Sequence, residues 1–96
     1  MEKNYVGMTK RISCVFQDED QVDADPTTVS LVVMEPNGTV TIYTYAGTDI
    51  TKDSTGHYHY DLFLDAALTW DWRFIGTGTV AQVDQGSIYV EPINTQ

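Results

Sequence analysis

Two histidines and an aspartate alternate along one short run, His57, His59 and Asp61 in HYHYD. Side chains two apart on an extended chain project from the same face. The two imidazoles could therefore share a metal ion, with the Asp61 carboxylate as a third ligand. No fourth ligand is visible. The competing reading is a polar sheet face in which His59 and Asp61 sit near Asp71 and Arg73 of a neighbouring strand. A second cluster, DEDQVDADP at 18–26, holds five carboxylates within eight residues. Oxygen ligands at that density, with Asp18, Asp20, Asp23 and Asp25 as the candidates, suit calcium. The spacing is not that of an EF-hand loop, because the sixth position from Asp18 is no glycine and the twelfth is Val29. A solvated loop ended by Pro26 is the simpler account.

Nucleophilic chemistry finds less support. Cys14 alternates with Ile12 and Phe16, the placement of a small buried hydrophobe, and nothing in the sequence sets an activating base beside it. GTGT and DSTGH lack the pattern of a nucleophile elbow. They also lack the spacing and the lysine of a phosphate loop. With no catalytic constellation, the expectation is a protein that is not an enzyme and needs no cofactor.

The elements that must position these residues read with period two almost throughout. RISCVFQ sets Ile12, Cys14 and Phe16 against Arg11, Ser13 and Val15; TVSLVVM sets Val29, Leu31 and Val33 against Thr28, Ser30 and Val32. Both are strand patterns rich in β-branched residues. EPNGT follows, and Asn37-Gly38 between two such runs signals a hairpin, since both residues tolerate positive φ. In TVTIYTYAG the inner face is open: Val40 and Ile42 argue for one side, Tyr43 and Tyr45 for the other. A short strand or turn and a tight reversal at 53–56 lead into HYHYDLFLD. There Tyr58, Tyr60, Leu62 and Leu64 share one face, and His57, His59, Asp61, Phe63 and Asp65 the other. TWDWRFI opposes Trp70, Trp72 and Phe74 to Asp71, Arg73 and Ile75 before GTGT breaks the strand, and GSIYVEP closes the sheet. LDAAL is too short for a stable helix. About seven strands with turns at short intervals predict an all-β sandwich, mostly antiparallel. Tyr58, Tyr60, Trp70, Trp72 and Phe74 supply the aromatic half of its core.

Ninety-six residues make a single domain, 1–96, with a core over about 10–91 and a short polar tail, 92–96. The formal charge of −9 repels phosphate backbones and argues against nucleic acid. One cysteine permits no internal disulfide. No run has signal-peptide or membrane-span length, so no membrane is expected and folding in the cytosol is.

An excess remains on the second faces. Val32, Phe63, Ile75 and one of the sets around Tyr43 and Tyr45 lie away from this core, where a sheet facing water would carry Thr, Lys and Glu. Val32, Tyr43, Tyr45, Phe63 and Ile75 are therefore candidates for a protein interface.

Three stretches taken together, RISCVFQDEDQVDADPTTVSLVVMEPNGTV, ITKDSTGHYHYDLFL and LTWDWRFIGTG, resemble small immunoglobulin-like β-sandwich domains of the bacterial and macroglobulin-like kind. More narrowly, they are similar to a group of short proteins encoded among the head and neck genes of tailed phages. The resemblance covers roughly 10–91. It implies a virion structural protein, made in the host cytoplasm. The foremost expectation is a capsid decoration or cement protein on the outer head surface, bound to the major capsid protein. A neck or tail component, contacting other virion proteins, is the alternative, and a homo-oligomer is compatible with either. From another class comes a glycan- or ligand-binding module, with exposed aromatics gathered at loop tips near His57 and Asp71. The resemblance brings no catalytic residue. One departure is visible: such domains often carry glycine just before the Trp-containing strand, where this chain has Ala66-Ala67-Leu68-Thr69.

Overall fold

A computed structural model describes residues 3–47 and 49–92; the end of the expected polar tail, 93–96, lies outside them. The described chain is all β. Its strands are β1 (Asn4–Tyr5), β2 (Thr9–Val15), β3 (Thr28–Met34), β4 (Val40–Thr44), β5 (Thr51–Ser54), β6 (His57–Phe63), β7 (Leu68–Thr77) and β8 (Gln82–Glu91). One sheet runs β1-β8-β7-β3-β4 and the other β2-β6-β5. Every pairing is antiparallel except β1 with β8. The consecutive strands β3–β4, β5–β6 and β7–β8 pair with each other, and the chain crosses between the two sheets at β1–β2, β2–β3, β4–β5 and β6–β7, which gives a β-sandwich. The pair Asn4–Tyr5 lies outside the predicted 10–91 and adds a short parallel strand beside β8.

Burial follows the alternation. Ile12, Cys14 and Phe16 face Val29, Leu31 and Val33 across the interior, with Tyr58, Leu62, Trp70 and Phe74 between them. Phe16 and Phe74 are wholly buried. Phe16 meets Tyr58 edge to face, centroids 5.6 Å apart, the geometry the ring quadrupoles favour. Tyr60 and Trp72 are only partly buried and pack on the core from its margin. Trp72 lies over Gly86, its partner in the β7–β8 ladder; a Cβ at that glycine would come within 2.7 Å of the indole.

Two turns differ from expectation. At the β3–β4 hairpin only Gly38 takes positive φ, 92°. Gly38 N–H donates to the Glu35 carbonyl at 2.9 Å and Glu35 N–H to the Thr39 carbonyl at 2.8 Å. Pro36 presets the first central position of an ordinary turn, and the Asn37 side-chain oxygen accepts from Thr39 N–H at 2.9 Å instead of going left-handed. At the entry to β7, where glycine is missing, Leu68 itself adopts φ of 85°.

The open question about β4 is decided by its register. Tyr43 pairs with Leu31 and Ile42 with Val32, so Tyr43 turns towards the core and Val40 and Ile42 turn outward, 54% and 62% exposed.

Candidate functional site

The histidines do share a face, the outer one of the three-stranded sheet, but each is held by a different carboxylate. His57 Nε2 donates to Asp23 at 2.9 Å. His59 Nδ1 donates to Asp53 at 2.7 Å, and its Nε2 lies 4.0 Å from Asp61. Asp61 is engaged by Arg11 through two hydrogen bonds, at 2.9 and 3.3 Å. That pair holds the Asp61 carboxyl below the usual range and raises the guanidinium. Asp71 and Arg73, the expected neighbours, belong to β7 in the other sheet. They bond Ser87 and Gln85 instead. The sequence could not distinguish an in-sheet neighbour from a strand across the sandwich, because both present the same alternation.

The acidic loop is likewise committed to structure. Asp18 Oδ1 accepts from the N–H groups of Asp20 and Val22. Asp23 accepts from the Gln17 amide, which with His57 lowers its pKa. Asp25 does most: it accepts from Lys52 Nζ at 2.6 Å, Gly56 N–H at 2.8 Å and the Tyr58 hydroxyl at 3.0 Å. Lys52 and then Gly56 pull its carboxyl down, while burial and then Asp25 push the Tyr58 phenol up to about 12. Gly56 is required there, with φ of 77° and room for no Cβ: one would lie 2.6 Å from the Phe16 carbonyl. Among the described residues no three His, Cys, Asp or Glu side chains are grouped to hold a metal ion.

Cys14 is buried, and burial with nearby Asp84 raises its thiol to about 12. It stays protonated at neutral pH and is a weak nucleophile there. Ser13 stands across the ladder from His59, but among the described residues no hydrogen bond joins its hydroxyl to the ring.

The interface candidates do not form one patch. Val32 and Ile75 share the outer face of the five-stranded sheet, beside a shallow groove of about 470 Å³ that Met34, Arg73 and Gln85 help to line. Phe63, 55% exposed, lies on the outer face of the three-stranded sheet, on the opposite side of the sandwich. Tyr43 stacks on Tyr60 at 4.3 Å and Tyr45 meets Tyr58 edge to face at 5.4 Å. Tyr43 closes the margin of the core, whereas Tyr45, just past the end of β4, stays 44% exposed beside Tyr58. Their place on the outer face is taken by residues that sequence reasoning did not select: Met34, Val40, Ile42, Val83 and Tyr89, all exposed. The signal for β4 was present, since Val40 and Ile42 alternate with Thr41 and Tyr43, but its sign depends on register. His57 and Asp71, the expected margin of a ligand cluster, are on opposite faces.

No family model, curated protein or solved structure matches the chain.

Proposed function

We propose that this chain is a non-enzymatic structural protein of a tailed-phage virion, foremost a decoration or cement protein of the head. The observation that carries the contact role is the distribution of exposed apolar side chains. They spread flat across the sheet faces, Val40, Ile42 and Val83 on one and Phe63 and Val15 on the other. A glycan-binding module would gather its aromatics at a loop cluster. The assignment to a virion draws on the resemblance of the strand and turn motifs. In this reading the sandwich is a rigid spacer whose faces bury apolar surface against neighbouring subunits, at roughly 25 cal/mol per Å², over contacts above about 1,000 Å². The charge of −9 suits a protein outside the DNA-filled lumen and favours docking on a basic patch, weakened by salt.

Quantitative peptide mass spectrometry on purified particles, scaled to the major capsid protein, tests this. Copies on the order of hundreds mean head decoration, and about six or twelve, the count of a closed ring, mean neck or tail. Absence from the particle overturns the virion reading.

A further inference from the structure

The outer face of the five-stranded sheet has a residue pattern that is complementary to itself. The ladder registers place Val40, Met34, Asp71 and Ser87 in one row across β4, β3, β7 and β8. The next row is Ile42, Val32, Arg73 and Gln85. A two-fold axis lying in the plane of the face, across the strands and between these rows, stacks each strand antiparallel on its own copy. It sets the first row of one molecule over the second row of the other. Val40 then meets Ile42, Met34 meets Val32, Asp71 meets Arg73 and Ser87 meets Gln85, each twice. The flanking rows agree: Val83, paired with Ile75, comes over Tyr89, paired with Thr69.

Charge reinforces the pattern. Arg73 and Asp71 are the charged residues of these rows, so the central patch of the face is neutral on a chain of net −9, with Glu91 at the far end of β8 beyond it. A second acidic copy can approach here with little repulsion, and two opposed Arg–Asp pairs fix the register. Each ion already has one intramolecular partner, Gln85 for Arg73 at 3.0 Å and Ser87 for Asp71 at 2.7 Å. Those bonds hold the two side chains over the sheet.

We infer that the outer face of the five-stranded sheet is an isologous dimer interface, occupied by a second copy of this chain. The inference rests on the reading of that face as a protein-contact surface and names its partner. It leaves the opposite face, with Phe63, for the particle. Four strands about 4.8 Å apart and four rows about 7 Å apart cover about 500 Å² per copy. That is about 1,000 Å² in the pair, the lower end for specific complexes, so the dimer is weak and concentration-dependent.

The test is sedimentation velocity on the full chain from about 1 to 500 μM at low salt, a range that spans a micromolar Kd. The wild type should pass from monomer to dimer. Arg73→Asp and Asp71→Arg, each alone, should weaken dimerisation at least about tenfold, because like charges then oppose one another. An equimolar mixture of the two variants should form a heterodimer, since one face is then doubly basic and the other doubly acidic. The chain carrying both changes should dimerise again. Circular dichroism checks that the variants fold; should a charge variant melt well below the wild type, Ile42→Glu on the exposed edge strand replaces it and should also dissociate the pair. A wild type monomeric throughout overturns the inference, as do single variants that dimerise normally or a mixture that stays monomeric. A monomer still present at hundreds of copies per particle would spare the virion reading, whereas a dimer absent from particles would spare the interface and remove the virion reading.

Discussion

Phe63 and Phe74 show what position does to one residue type. Phe74 is fully buried between the sheets, and Phe63 stands more than half exposed at the end of β6. Phe74→Ala should cost about 3–5 kcal/mol, from lost transfer energy and the cavity left behind, read as a lowered urea midpoint. Phe63→Glu should stay within about 0.5 kcal/mol of the wild type yet reduce occupancy on the particle in a rebinding assay. Unfolding by Phe63→Glu would instead place that ring in the core. At the same scale, Cys14 is a packing residue by geometry and protonation together. The second property follows from the first, since the alternation buries it and the burial raises its thiol.

Among the elements, the entry to β7 is where local conformation and residue type disagree. Leu68 holds φ of 85°, a conformation costing an L-residue roughly 1–2 kcal/mol. The Trp70 indole N–H donates to the Ala66 carbonyl at 3.0 Å, tying down the connection that imposes it. Leu68 is exposed, so its side chain forfeits little burial if removed. Leu68→Gly should therefore stabilise the domain by up to about 1 kcal/mol, where glycine in an ordinary strand costs about 0.5–1 kcal/mol. A lowered melting temperature for this variant would mean that the leucine packs productively and the backbone bears little strain. The β5–β6 hairpin presents the opposite case. There Gly56 meets the conformational demand directly, and Asp25, reaching across from the acidic loop, accepts its N–H.

For the molecule as a whole, the acidic balance makes stability depend on pH in a defined direction. Asp23, Asp25 and Asp61 are each held below the usual carboxylate range, by Gln17 and His57, by Lys52 and Gly56, and by Arg11. A folded pKa below the unfolded one gives stability that is complete above the unfolded value, about 4, and is lost as pH falls through the folded value. Thermal melting should be level above about pH 5 and fall below about pH 4. Asp25→Asn should melt lower at neutral pH and show a shallower acid limb, because one linked carboxylate is gone. An acid limb as steep as the wild type's would show that Asp25 contributes nothing to it.

Sequence periodicity alone determined the all-β class, the positions of the strands after β1 and the buried sets on β2 and β3; on β6 Tyr58 and Leu62 follow it, whereas His59 is buried and Tyr60 only half-buried. Alternation reports directly which side chains must leave water together, and the turn at Gly38 and the reversal before His57 were legible from residue types that tolerate them. The pairing of faces was not. Whether Val40 and Ile42 or Tyr43 and Tyr45 point outward, and whether His59 neighbours Arg73 or Asp53, depends on register and on which sheet each strand joins. Those are long-range choices that a period of two leaves degenerate. Only the folded chain brings Asp71 and Arg73 into adjacent rows with Met34 and Val32, and divides the candidate interface residues between two opposite faces. The reason is geometric: alternation assigns a side chain to a side of its own strand, and only packing decides what lies on that side.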